Sequence, residues 1–299
     1  MHISFNSFLA ACPGAISQGI IWGIMALGVF VTYKVLDCAD LTVDGSICTG
    51  GAVSAILITG GMDPMLSLVF ATLAGMLCGA VTGLLHTKLN IPAILSGILT
   101  QLALYSVNMR IMGRANVTLL GKHVALSLQN IPHAILVSGI IAVFVISVLY
   151  WFFGTEVGCA VRATGNNDNM ARAQGVNTDN VKMLGLIISN GLVALSGALL
   201  AQYQGFSDVQ MGRGAIVIGL ASVIIGEVIL GTHSSFAVRM SSMILGAVIY
   251  YIIISLVLQA GLNTNDLKLF SAATVAVALA IPTIKTWALN GKNGRSTHA

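Results

Sequence analysis

Charge is what this chain has least of. Asp, Glu, Lys and Arg make up 8% of its 299 residues, against about 25% in a soluble domain, and the mean hydropathy is +0.91. A water-soluble globular protein is excluded. The signatures of chemistry are missing as well. There is no GxxxxGK[ST] loop for ATP phosphates, no GxSxG, no HExxH, and no His and carboxylate cluster within an apolar run. The chain is therefore not expected to be an enzyme, and no catalytic residue, metal or cofactor is assigned. The five cysteines, Cys12, Cys38, Cys48, Cys78 and Cys159, are odd in number and show no CxxC spacing. They read as small apolar fillers. Spacing would allow a Cys38–Cys48 disulfide, but the topology below puts both near a reducing side. The net charge of +4 comes from dispersed basic residues, a pattern that gives no support for nucleic-acid binding.

What the chain has in abundance is uninterrupted apolar sequence. A charge at the bilayer centre costs about 2.5 to 3.5 kcal/mol, so charge-free intervals mark where spans can lie. Pro64–Leu85, Leu89–Met109, Ala134–Thr155, Met183–Ser207 and Met240–Asn265 contain no Asp, Glu, Lys or Arg and match the roughly 20 residues a spanning helix needs. Shorter candidates are Ser17–Tyr33, Gly45–Met62, Gly214–Leu230 and Leu269–Ile284. Continuous rather than alternating apolarity excludes a membrane barrel. The expected fold is all-α: a polytopic transmembrane helical bundle of about nine spans, eight to ten, some broken or short, in one domain over residues 1–299.

Local signals agree. Pro64, Pro92 and Pro132 stand at first turns, where a missing N–H is tolerated. Gly75, Gly79 and Gly83 lie four apart, as do Gly19 and Gly23; such faces let helices approach closely, within the chain or in a dimer, with internal packing favoured. Leu9-Ala10-Ala11-Cys12 looks like a lipoprotein box, but no Lys or Arg precedes it. The segment Ile3–Ile16 is expected to stay as a short interfacial or half-inserted helix. With the N-terminus outside and nine spans, Lys34, Lys88, Arg162, Arg172, Lys182, Arg239, Lys285, Lys292 and Arg295 fall inside. Arg110, Arg114, Lys122, Arg213 and Lys268 fall outside, a division of nine to five that supports this orientation.

Three polar intervals stand out. Gly154–Lys182 is cytoplasmic in this orientation and carries Glu156, Arg162, Asp168, Arg172, Asp179 and Lys182. Asn167–Ala173 has the length of one or two exposed helical turns, with Gly165 before it and Gly175 placed to end it. It is either a docking helix or a solvated loop. Asp37–Gly51 reads either as a turn into a broken helix lining a pathway or as a plain turn capped by Thr42 or Asp44; a calcium loop is disfavoured by the missing closing glutamate. Asp208–Gly231, punctuated by Gly212, Gly214, Gly219 and Gly226, reads as a short, discontinuous span. Its Glu227 is a functional acid or, the favoured reading, a cytoplasmic-end residue paired with His233 or Arg239. Candidates for a solute route are Thr42, Asp44, Ser46, Gln101, Asn108, Asn190 and Glu227. Hydrogen bonds between helices, as also for Gln202, would explain the interior ones equally well.

Arg162-Ala163, Met170-Ala171 and Gly175-Val176-Asn177-Thr178-Asp179, followed by a span ending Ser196-Gly197-Ala198-Leu199-Leu200-Ala201, resemble the cytoplasmic loop of ABC-importer permeases of the branched-chain amino-acid and ribose type. Asp40-Leu41-Thr42-Val43-Asp44-Gly45-Ser46 resembles the early segment of a subgroup associated with tryptophan or tyrosine uptake. The resemblance implies a binding-protein-dependent importer in a bacterial inner membrane, moving a small solute such as an amino acid by alternating access. The implied partners are a separate ABC ATPase subunit, an extracytoplasmic solute-binding protein and a second permease copy, a homodimer, since each chain has one coupling loop. Asn167–Gly175 would be the coupling helix, with Arg162, Asn167, Asp168, Ala171, Arg172 and Gly175 as its ATPase-coupling residues. The glutamate that opens the general loop motif is absent here. The competing class is an ATP-independent channel or ion-coupled secondary carrier, and acid pairs buried within spans, which would favour a carrier, are missing.

Overall fold

A computed structural model of the protein describes residues 5–230, 235–259, 269, 272–276 and 280. The chain is an all-α polytopic bundle, with one small β-ribbon among the described residues. Its helices are α1 (Phe5–Phe30, extended by a π-helical turn at Val31–Val35), α2 (Val43–Thr59), α3 (Pro64–Thr87), α4 (Ala93–Met112), α5 (Ile131–Gly154), α6 (Glu156–Asn166), α7 (Asp168–Ala173), α8 (Thr178–Gln204), α9 (Ala215–Leu230) and α10 (Phe236–Gln259). The ribbon pairs β1 (Asn116–Thr118) antiparallel with β2 (Phe206–Asp208), Val117 opposite Ser207. Strands of three residues carry too little alternation to be read from sequence.

Among the described residues, Ala11–Val35, Pro64–Thr87, Ile131–Gly154, Thr178–Gln204 and Phe236–Gln259 are long and apolar enough to cross a membrane. Four coincide with four of the five clearest expected spans, and Ala11–Val35 contains the shorter candidate Ser17–Tyr33. The fifth expected span, Leu89–Met109, forms α4, which is more polar because it carries Thr100, Gln101, Asn108 and Arg110; its 20 residues still reach about 30 Å. The end of Met240–Asn265 and most of Leu269–Ile284 lie outside the described residues. At the other terminus, α1 runs unbroken from Phe5 through Pro13, so the separate short helix expected over Ile3–Ile16 is not formed. Proline removes one hydrogen bond, a loss that spanning helices tolerate.

Helix α8 is the centre, packed against α3, α2 and α1. The glycine stripe of α3 lies on it: a Cβ on Gly79 would stand 2.8 Å from the Leu186 carbonyl carbon, and one on Gly83 would stand 2.8 Å from Met183 Cγ. Gly75 likewise meets Asn190 and Ala194 of α8. The stripe is thus internal packing rather than a dimer contact. Gly19 and Gly23 serve the same end against Val248 and Ile244 of α10. Apolar residues left outside, such as Leu66, Leu73 and Leu77 on α3 and Ile140, Phe144 and Trp151 on α5, form the face that a bilayer would cover. All five cysteines are free, Cys38 and Cys48 included.

Candidate coupling and translocation sites

The polar interval Gly154–Lys182 folds into two helices rather than one. Thr155 caps α6 by accepting the Gly158 N–H at 3.3 Å, and Val161 and Thr164 face inward. Gly165 precedes α7 as expected, as the penultimate residue of α6, against the Val35 carbonyl. Asn167 then caps α7, its Oδ1 accepting the Met170 N–H at 3.0 Å. Gly175 ends the element with φ +85°, a left-handed conformation that favours glycine.

Two ion pairs fasten α7 to the first turns of α8. Lys182 Nζ stands 3.1 Å from Asp168 Oδ2, and Arg172 Nη2 2.6 Å from Asp179 Oδ1. Arg172 Nε also lies 3.7 Å from Asp168. Partial burial raises the Asp168 carboxyl, but hydrogen bonds from Lys182 and Thr178 and the nearby Lys182 and Arg172 charges outweigh it and hold it below its ordinary range. Arg172 is thus committed to its own chain. Arg162, although exposed, also engages its own chain, donating to Cys159 Sγ at 3.2 Å and lying 5.7 Å over the Phe236 ring. Ala171 is buried under α7. Among its exposed residues α7 carries one large apolar side chain, Met170, 59% exposed; an apolar residue in a polar loop carries no charge signal in the sequence.

Most of the proposed route residues knit helices together. Asp40 is buried in the connection before α2; its Oδ1 accepts the Thr42 N–H at 2.8 Å and its Oδ2 accepts Asn190 Nδ2 at 2.7 Å. Asn190 Oδ1 accepts from Ser46 Oγ at 2.6 Å. Beside them Thr42, Thr82 and Thr100 form a hydroxyl chain with steps of 2.8 and 3.0 Å. Asn108 Nδ2 approaches the Gly45 carbonyl at 3.5 Å, and Gln101 is half-buried where α4 meets Gly45. Neither sequence reading of Asp37–Gly51 describes what forms. Helix α2 is continuous through Gly45, Gly50 and Gly51, and Thr42 offers no side-chain cap.

Asp44 caps a different helix. Its Oδ2 accepts the Gly214 N–H at 3.0 Å and its Oδ1 accepts the Ile216 N–H at 2.9 Å, so a carboxylate on α2 closes the start of α9. The preceding residues, 209–214, run beside α2 without helical structure: Gly212 donates to Cys48 Sγ at 3.1 Å, and Gly51 lies against Met211 and Ser207. The expected discontinuity of this span is present. At the far end of α9, Glu227 pairs with Lys34 at 2.8 Å and Arg239 at 3.6 Å. This is the favoured end-of-span reading, with Lys34 as an unforeseen partner; His233 lies outside the described residues. None of the seven route candidates lines the cavity of about 730 Å³ that lies between α1, α8, α9 and α10.

Residues 14–281 match the family described as branched-chain amino acid transport system, permease component. The chain belongs to this permease family. The permease is 41% identical over 266 residues to the tyrosine transport system permease protein of Clostridioides difficile, covering 88% of each chain. It is 31% identical over 195 residues to the autoinducer 2 import system permease protein LsrC of Yersinia pseudotuberculosis, covering 62% of this chain and 54% of that one. Among solved structures, PsaBC from Streptococcus pneumoniae in complex with Fab aligns with a TM-score of 0.52 at 14% identity, over 92% of this chain and 95% of that one; at that identity the likeness concerns the fold. The permease is the membrane component of an ABC transport system and is not itself an enzyme; ATP hydrolysis lies on a partner chain. Within the permease, one 27-residue helix connects the features above. Helix α8 holds α7 at its first turns, Asp40 through Asn190 at its middle, and Ser54, Ser67 and the Pro64 carbonyl through Gln202 near its end.

Proposed function

We propose that this permease, acting as a single domain over residues 1–299, is the solute path and mechanical lever of a binding-protein-dependent importer in a bacterial inner membrane. Two copies pair as a homodimer. Each engages an ABC ATPase through α7, and an extracytoplasmic solute-binding protein delivers an amino acid. The observation that carries this reading is the fastening of α7 to α8 by Asp168–Lys182 and Arg172–Asp179. These pairs bridge the short connection 174–177, so a push on α7 has a direct route to α8, and α8 touches α1, α2 and α3. ATP binding that closes the ATPases would shift the population between outward- and inward-facing bundles through this rod.

In this reading Arg162, Asn167, Asp168, Ala171, Arg172 and Gly175 act at one remove: they shape and seat α7, and Met170 with its exposed neighbours makes the contact. The amino-acid class is supported by the 41% identity to a tyrosine transport permease. The test is ATP-dependent uptake of L-tyrosine by vesicles holding the permease, its ATPase and its binding protein, with a Met170→Cys variant carrying a short crosslinker. Crosslinking to the ATPase is expected, together with loss of uptake. Crosslinking to no ATPase, or uptake that persists without ATP, overturns the proposal.

A further inference from the structure

We propose that the cavity between α1, α8, α9 and α10 binds a small carboxylate with an aromatic body, such as an aromatic amino acid, and that Arg213 is its anion-binding group. This deepens the importer reading above and rests on it.

Position is the first argument. Residues 209–214 descend beside α2, with Gly212 at Cys48 and Gly214 at Asp44. Asp44 and Cys48 lie in the first two turns of α2, and Ser46 between them bonds Asn190 at the middle of α8, about 18 to 21 Å from the two ends of that helix at 1.5 Å per residue. Arg213 therefore sits deep in the bundle, where a guanidinium is costly and marks a functional site unless it is paired. It is exposed to the cavity it lines, and among the described residues it makes no ion pair. The two acids on adjoining elements are taken by other donors. Asp44 accepts the Gly214 and Ile216 N–H groups, and Asp208 accepts the Gln210 N–H and Asn116 Nδ2.

The walls supply the rest of the ligand's description. Tyr203, Tyr250 and Tyr251 line the space, the last two in edge contact at 5.5 Å. Rings of this kind stack on an aromatic solute or meet it edge to face. Gln18 and Ser255 add groups able to bind an ammonium or a phenol. A volume of about 730 Å³ is that of a small-molecule site, and a few polar groups in a largely apolar wall is the usual design of one. An acyl chain would leave Gln18, Gln204 and Ser255 facing hydrocarbon, so a solute fits better than a lipid tail.

The test uses the full-length chain in nanodiscs of zwitterionic lipid, with calorimetric titration of L-tyrosine, L-phenylalanine and tyramine, which keeps the ring and amine but lacks the carboxylate. L-Tyrosine and L-phenylalanine should bind and tyramine should not. Arg213→Gln should weaken L-tyrosine binding by about 10- to 100-fold, the range for a charge-assisted hydrogen bond, with an unchanged melting temperature. Arg213→Lys should recover part of the loss. Equal binding of tyramine, wild-type affinity in Arg213→Gln, or failure of all three probes to bind overturns the site. A cavity that instead takes anionic lipid, with no amino-acid binding, also overturns it. The importer reading is judged separately by ATP-dependent uptake in wild-type vesicles; uptake that Arg213→Gln leaves intact would sink this site alone.

Discussion

Replacing Asp44 with alanine should uncouple two helices that no loop connects. The carboxylate accepts backbone N–H groups at 3.0 and 2.9 Å from the first residues of α9, the place where a helix has orphan donors and a positive dipole end. Hydrogen bonds to a charged acceptor contribute about 1.5 to 3 kcal/mol each, which for two gives about 3 to 6 kcal/mol. Gly214 is exposed, so water can take up one freed donor, and the lower end, about 3 kcal/mol, is expected. Asp44→Asn keeps one carbonyl acceptor but turns an NH2 towards the other donor, and should lose about half as much. Equilibrium unfolding in bicelles measures both variants, and amide exchange at Gly214 and Ile216 localises the change. A cost under about 1 kcal/mol for Asp44→Ala, or unchanged protection of those amides, would refute the cap.

Other consequences follow from the same geometry. Asn190→Ala removes the donor to Asp40 Oδ2 and the acceptor for Ser46; a loss of about 2 to 4 kcal/mol is expected, and a double-mutant cycle with Asp40→Ala should show coupling rather than additivity. Gly79→Ala drives a methyl into the Leu186 backbone and should destabilise by about 1 to 3 kcal/mol. Gly139→Ala, which meets nothing within 4 Å, should be nearly neutral in the same melting assay. Arg172→Glu places a third carboxylate between Asp168 and Asp179; exposed pairs contribute little to stability, so melting should barely move while transport-linked ATP hydrolysis falls. The Asp168 carboxyl is held below its ordinary range, so its contribution is complete above the unfolded pKa, about 4. That contribution is lost only as pH falls through the lower folded value. A spin-label distance between α7 and α8 should therefore be constant from neutral pH to about pH 5, and Asp168→Asn should show the lengthened distance at every pH.

The parts legible in the sequence were those governed by local rules. Charge-free runs gave the long helices, Asn167 and Gly175 bounded α7, and the glycines before Ala215 marked a span that cannot begin at the membrane edge. What escaped depends on partners distant in sequence. Asp44 looked like a cap for its own helix because its acceptors face α9 only after folding. Lys34 and Glu227 are joined across the bundle, and the partner of Arg172, Asp179, belongs to the first turn of the next helix. Helix α6 carries little sequence signal of its own, and its Gly158 and Gly165 serve as contact surfaces under Phe153 and Leu36. Sequence position alone puts Arg213 among the external charges; the unwound stretch that carries it beside α2 is a tertiary feature that composition cannot reveal.

The bond from Asp44 to Gly214 spans 170 positions in the chain, and that separation bears on how the protein is made. At 5 to 20 residues per second, roughly 10 to 30 seconds of synthesis part the emergence of the two groups. During that interval the N-terminal helices must hold an acidic side chain in the bilayer without its eventual donors. The segment that will supply them is itself a poor insertion signal, being glycine-rich, unwound and marked by an arginine. Its entry into the membrane is best understood as docking onto a surface already assembled by the earlier half, which makes the order of translation part of the folding code.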